Sequence, residues 1–204
     1  MPSGLLDSEM LFYYESALIT LESRFAVMQK QSVIREKRDI IKSIHSRIKT
    51  EESIREKLLR KHLPQSIEAI QEHLFDIAGI RVVVGFIDDV YHIAHALKEQ
   101  DDIKVVSEKD YIKNPKPNGY RSYHMVVNLP VLHTKGTCRV NAEIQLRTIA
   151  MDFWASLEHE MKYKKDIQNQ QMICAELKRC ADEMASADVD MQAIREMIVE
   201  GDQR

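Results

Sequence analysis

The chain has 204 residues, of which 44% are hydrophobic and 30% charged, and its formal net charge is −3. That length and balance describe one globular domain able to bury its own core, and they exclude disordered, fibrous and collagen-like chains. No apolar run approaches the length needed to span a bilayer, and the first residues lack the basic and apolar regions of a signal peptide, so a cytoplasmic protein with no membrane partner is expected.

The mild net charge hides a segregation. Residues 29–62 carry eleven Lys and Arg against five acids, whereas residues 166–204 carry nine acids against four bases. The first segment suits a polyanion. The three cysteines, Cys138, Cys174 and Cys180, show no CxxC spacing and read as free thiols of a reducing compartment.

In chain order, residues 8–30 read as a helix, because Leu11, Tyr14, Leu18, Leu21, Phe25 and Met28 alternate steps of three and four. Residues 31–49 are less regular. Thr50 caps a second helix that runs to residue 63, with Glu51 and Glu52 in its first turn and Pro64 as its stop. Ser53, Lys57, Arg60 and Lys61 share one broad face of it, and Arg47 and Lys49 stand just before it. Such a face is either solvated or a phosphate site. FDIAGIRVVVGF (75–86) is β-branched and apolar, a central strand. Asp76 and Arg81 are its only charges, and charges at a buried strand are costly unless paired or used. Asp88 or Asp89 caps a helix to residue 100, and residues 103–111 form a more exposed strand.

A loop over 112–121 follows, with two prolines, a glycine, Tyr120 and the cations Lys113, Lys116 and Arg121. It leads into a strand over 122–129, a turn around Gly136 and a strand over 138–146. The last strand alternates. Val140, Ala142, Ile144 and Leu146 fall on one face, and Arg139, Asn141, Glu143, Gln145 and Arg147 on the other. The polar face is plain solvated sheet or the floor of a site. Beside a basic loop with an aromatic, it suits a phosphorylated, flat-based substrate.

Thr148 then caps a helix to about residue 164. The last helix, 170–199, places Ile173, Leu177, Cys180, Met184, Ala187, Met191, Ile194 and Ile198 at steps of four and three, a heptad-like seam. Each terminal helix either packs on its own domain or pairs with another subunit, and two such seams favour a helical oligomer interface.

There is no GxxxxGK[ST] and no GxGxxG, so Lys and Arg side chains must hold any nucleotide phosphates. The histidines lack zinc-ligand spacing. Asp76 and Glu143 suit Mg²⁺, which typically takes one or two carboxylates plus phosphate oxygens.

At these residues the chain resembles the RelA/SpoT-type alarmone synthetase family. The matching segments are SRIKTEESIREKLLRK (46–61), DIAGIR (76–81), KDYIKNPKPNGYRSYH (109–124), EIQLRT (143–148) and FWASLEH (153–159), in the family's order. The chain has no room for the hydrolase and regulatory domains of long members. It is most similar to the small, synthetase-only RelQ type. Ser46 departs from the family's usual glycine, and Ser43 and Ile44 replace an aromatic that some members use for an allosteric product.

The resemblance implies an α+β fold: a mixed β-sheet flanked by helices, nucleotidyltransferase-like, with a catalytic core over about 40–165. The terminal helices, 8–30 and 170–199, would build a homotetramer. The implied activity is transfer of the β,γ-pyrophosphate of ATP to the ribose 3′-OH of GDP or GTP, yielding AMP and ppGpp or pppGpp. Asp76 would hold Mg²⁺, and Glu143 would hold Mg²⁺ or take the hydroxyl proton. Arg47 and Arg81 would sandwich adenine, with Lys49, Ser53, Lys57 and Arg60 on the ATP phosphates. Tyr120 would stack on guanine, with Asn118 near the base edge and Lys109, Lys116 and His124 on the acceptor's phosphates. Gln145 and Arg147 would support the site. Two other readings stand beside this one. One is a toxin-like relative that pyrophosphorylates tRNA 3′ ends or makes an adenosine alarmone. The other is a non-catalytic regulator that binds single-stranded RNA through the basic segment and Tyr120.

Overall fold

A computed structural model describes residues 5–134, 136–162 and 169–201. Among these residues it is a five-stranded sheet in the order β1-β2-β5-β4-β3, flanked by helices. The strands are β1 (Ile41–Ile48), β2 (Ala78–Val84), β3 (Lys104–Asp110), β4 (Tyr123–His133) and β5 (Gly136–Thr148). Only the β2–β5 pair is parallel, so the sheet is mixed, as expected.

Alternation sorts the two faces. Ile80, Val82, Met125, Val127, Ala142 and Ile144 are fully buried on one of them. The helix α1 (Ser8–Glu36) crosses this face with Ala17, Leu21 and Phe25 inward. Asp7 starts it by accepting from the Met10 N–H at 2.8 Å. The helix α4 (Ile87–Lys98) adds Val90, Ile93, Ala94 and Leu97 to the same core.

Several elements differ from the sequence reading. α1 runs on to Glu36 and ends at Lys37 in a left-handed turn (φ 53°). The irregular stretch after it holds β1. This is an edge strand with a register shift between Ile41 and Ser43, so its apolar residues lose the period of two that marks a strand. The helix α2 (Glu51–Arg60) is capped by Thr50 as expected, but a short α3 (Ile67–His73) gave no periodic signal. α4 has no side-chain cap. Asp88 and Asp89 lie in its first turn and pair instead with Arg195 and Arg38. β4 continues through Pro130 to His133.

The helix α5 (Ile149–Lys162) begins with Thr148 accepting from the Met151 N–H at 3.2 Å. Its expected end near residue 164 lies outside the described residues. The final helix α6 (Gln170–Gly201) splits the expected seam. Leu177, Cys180 and Met184 pack with Trp154 and Ala155 of α5. Met191, Ile194 and Ile198 are exposed. Polar contacts hold the later half of α6 to its own domain. Thr148 donates to Asp188 at 2.5 Å, and Arg195 pairs with Asp88.

Candidate active site

The face of the sheet away from α1 carries the polar side chains, and strand register sets them in rows. His45 stands opposite Arg81, Arg81 opposite Gln145, Gln145 opposite His124, and His124 opposite Lys109. In the next row Arg47 faces Gly79, Gly79 faces Glu143, and Glu143 faces Val126. Gly79 leaves this row without a side chain between Arg47 and Glu143. A cavity of about 510 Å³ opens here, lined among others by Arg47, Asp76, Arg81, Glu143, Gln145 and His159.

Asp76 stands two residues before β2, at the mouth of α2. The Lys49 N–H bonds to the Ile77 carbonyl at 2.8 Å, which brings the Lys49 side chain to Asp76. Lys49 and Lys57 both donate to Asp76 Oδ2, at 2.8 and 2.5 Å. Burial pushes this carboxyl up, but the two ammonium groups outweigh it and hold Asp76 below its ordinary value. Its other oxygen, Oδ1, is buried with no hydrogen-bond partner among the described residues. A buried, charged oxygen in that state is a ready ligand for a cation.

Glu143 is likewise ionised. Burial raises its carboxyl, and His124 and Gln145 more than compensate. His124 Nδ1 lies 3.4 Å from Oε1, and Gln145 donates to Oε2 at 2.8 Å. Gln145 in turn accepts from Arg147 at 2.9 Å. Arg147 also donates to the Tyr120 hydroxyl at 2.8 Å and to Asp152 at 2.9 Å. Tyr120 closes the circuit at His124 Nε2, 2.9 Å away. One network thus links the β5 carboxylate to the aromatic of the loop.

Asp76 and Arg81, the two charges of the central strand, are not partners of each other. Arg81 pairs with Asp152 at 3.1 Å, and its Nε is buried without a partner among the described residues. Arg47 is exposed on the neighbouring strand, diagonal to Arg81. Diagonal cross-strand positions lie about 7–8 Å apart. One flat base fills such a gap with each face in contact at about 3.5–4 Å.

The remaining expected residues ring this centre. Ser53 accepts from Thr50 Oγ1 at 3.0 Å in the first turn of α2. Arg60 is exposed on α2 and Lys109 on β3, both without an ion pair among the described residues. The Lys116 ammonium lies 4.7 Å from the Tyr120 ring centre and 4.8 Å from that of Tyr111. Asn118 donates to Glu158 at 2.9 Å and accepts from the Tyr120 N–H at 3.3 Å, so it braces the loop.

Three contributors were not singled out from sequence. Asp152 holds Arg81 and Arg147 together. Tyr111 packs edge-on against His124 and Tyr120. His159 lines the cavity. In sequence Asp152 looks like an ordinary acid in a helix's first turn, and only the FWASLEH likeness pointed towards His159.

The arrangement is two ionised carboxylates in one cavity walled by guanidinium groups, with two lysines on one of the carboxylates and no glycine-rich motif in the sequence. It is built for phosphate chemistry on a nucleotide. The region found in RelA/SpoT proteins matches residues 46–168. The chain belongs to the RelA/SpoT family. As a RelA/SpoT-family protein it carries every expected site residue inside the matched region. It is 40% identical over 188 residues to GTP pyrophosphokinase YwaC of Bacillus subtilis (strain 168), covering 92% of this chain and 90% of that protein. It superposes on small alarmone synthetase 2 of Bacillus subtilis with a TM-score of 0.82 at 40% identity, over 93% of this chain and 97% of that one. Small alarmone synthetase 1 of the same organism, bound to its product pppGpp, gives 0.83 at 33% identity, over 93% and 96%.

Proposed function

We propose that this chain is a synthetase-only GTP pyrophosphokinase. It moves the β,γ-pyrophosphate of ATP to the ribose 3′-oxygen of GDP or GTP, making ppGpp or pppGpp. The new bond joins the 3′-oxygen to the β-phosphorus. The bond from that phosphorus to the α,β-bridging oxygen breaks, and AMP leaves with this oxygen. The observation that carries the reading is the pair of half-buried, ionised carboxylates, Asp76 and Glu143, in one cavity with Arg47 and Arg81. The named activity of the relatives, and pppGpp as the product of one of them, support it.

Arg47 and Arg81 clasp the adenine across the β1–β2 gap. Lys49, Ser53, Lys57 and Arg60 hold the ATP phosphates, the two lysines exchanging Asp76 for phosphate oxygens. The free Oδ1 of Asp76 fits Mg²⁺, and Glu143, which lines the same cavity, would share it. The bound ion would neutralise charge on the transferring phosphates. Glu143, ionised and held by His124 and Gln145, takes the 3′-OH proton. Tyr120 stacks on guanine, Asn118 reaches the base edge, and Lys109, Lys116 and His124 hold the acceptor's phosphates.

The outer faces of α1 and α6 expose Phe12, Ile19 and Val27, and Met191, Ile194 and Ile198. They would join four copies into a homotetramer, and light scattering of the pure protein tests this. Among the described residues no helix is long and apolar enough to cross a membrane. The free cysteines and the nucleotide substrates fit the cytoplasm.

The deciding experiment incubates the pure protein with Mg²⁺, γ-labelled ATP and, in turn, GDP, GTP and uncharged tRNA, and separates products by anion exchange. AMP formed with labelled ppGpp or pppGpp is expected. Label on tRNA alone would move the chain to the tRNA-modifying reading. No AMP in any mixture would overturn the enzymatic one and direct attention to single-stranded RNA.

A further inference from the structure

The loop between β3 and β4, residues 111–122, carries Lys116, Asn118 and Tyr120, and it is anchored at both ends. At its start Asp110 accepts from the Ile112 and Lys113 N–H groups at 3.0 and 2.9 Å, and from the Tyr91 hydroxyl at 3.1 Å. At its end the anchor is α6. Arg121 donates to Asp182 Oδ1 at 2.9 Å and to the Ala181 carbonyl at 3.3 Å, and it also grips the Gly119 carbonyl of its own loop at 3.1 Å.

Gly119 shows how close this contact is. It is buried in a left-handed conformation (φ +89°), and a Cβ there would fall 2.5 Å from the Ala181 Cβ. Tyr120, the next residue, packs on the cluster formed by Trp154, Ala155 and Ala181. Trp154 fixes that cluster to α6 by donating to the Leu177 carbonyl at 2.9 Å. The loop therefore rests on the inner face of α6, about one and a half turns of helix from Leu177 to Asp182.

We infer that α6 is the seat of the acceptor loop and that Asp182, through Arg121, is a positioning residue for the acceptor nucleotide. Asp182 lies on no wall of the cavity and touches none of the residues that hold ATP. It acts by fixing Arg121, whose side chain is 17% exposed and ties α6 to the backbone beside Tyr120. The inference rests on the reading that this loop holds the acceptor.

The test is steady-state kinetics of the full-length chain with GDP or GTP and ATP varied separately. Asp182→Asn is expected to raise KM for the acceptor about three- to tenfold, the range of a charge-assisted bond that is partly solvated. kcat at saturating acceptor and KM for ATP stay at their original values. Asp182→Glu restores the acceptor KM. Lys178→Ala, which removes the other partner of Asp182, leaves it unchanged. Equal rises in both KM values, or no change with Asp182→Asn, would overturn the proposal. Tyr120→Ala separates the two levels of the argument. An acceptor KM raised by Tyr120→Ala but not by Asp182→Asn overturns the seat alone, whereas an acceptor KM unmoved in both overturns the loop's role as well.

Discussion

Lys49 donates to the Oδ2 oxygen of Asp76 at 2.8 Å, so a cation assigned to ATP phosphate sits on the carboxylate assigned to metal. Lys57 does the same from α2. Without ligand the site is neutralised from within. On the proposed roles, phosphate that draws the lysines away would leave Asp76 without a counter-charge, and a cation arriving with it would supply one.

Asp76→Asn should therefore do two things. Turnover should fall at least about 10²–10³-fold, the range for losing one electrostatic stabiliser of a transition state. Lys49 and Lys57 would face each other without a counter-charge, lowering stability by about 1–3 kcal/mol. Thermal melts and the coupled AMP assay measure both. Full turnover would sink the metal role. The pH dependence follows from the sign. The Asp76 carboxyl is held below its ordinary value of 3.8, so its stabilising contribution is complete above that pH and is lost as pH falls through the folded value. The variant's acid unfolding curve should lack that portion.

Glu143→Gln should lower kcat about 10²–10⁴-fold if the carboxylate takes the 3′-OH proton. KM for ATP should change little, because the amide keeps Gln145 and His124 in place. Burial raises this carboxyl and its hydrogen bonds lower it further, so its folded value lies below the ordinary 4.5. The acid limb of kcat/KM that reports this group is therefore expected below pH 4.5, and an acid limb near neutrality would assign the base elsewhere.

Tyr120 is held by its hydroxyl and its ring, and two variants divide these. Tyr120→Ala should weaken the acceptor by about 1–3 kcal/mol, the worth of one base stacked on an aromatic ring. Tyr120→Phe keeps the ring and frees Arg147 and His124 from one bond each, so acceptor affinity should fall by only about 0.5–1.5 kcal/mol. Isothermal titration with GDP, and separately with a non-hydrolysable ATP analogue, checks that the ATP side is untouched.

Asp188 is a buried carboxylate of α6 that accepts from Thr148 at the end of β5, and burial raises its pKa despite that hydroxyl. A raised carboxyl stabilises the fold fully below its unfolded value, and that contribution is lost as pH rises through the folded value. At neutral pH it is a cost. Asp188→Asn accepts the same hydrogen bond without the charge, so the melting temperature at pH 7 should rise by a few degrees, about 1 kcal/mol. The gain should vanish below about pH 4. A lower melting temperature at pH 7 would mean that the charge itself holds α6.

Strand alternation, helix stripes and the Thr50 and Thr148 caps were legible because each is a local property of consecutive residues. So were Asp76 and Arg81, the only charges in an apolar segment, and Glu143, Gln145 and Arg147, which fall together on the polar face of an alternating strand. β1 was not legible, because it is an edge strand with a shifted register.

The sequence by itself determined the α+β class, the polar face of β5 and the family likeness, all of which depend on order and spacing along the chain. Only the tertiary structure decided that β2 pairs in parallel with β5, which sets Arg81 beside Gln145 and Glu143 opposite Gly79. It alone recruited Asp152 from α5 and divided the α6 stripe into a half facing Trp154 and a half facing solvent. The reason is physical. A periodic pattern states that a face will be buried, whereas the partner that buries it is chosen by contacts between residues far apart in the chain.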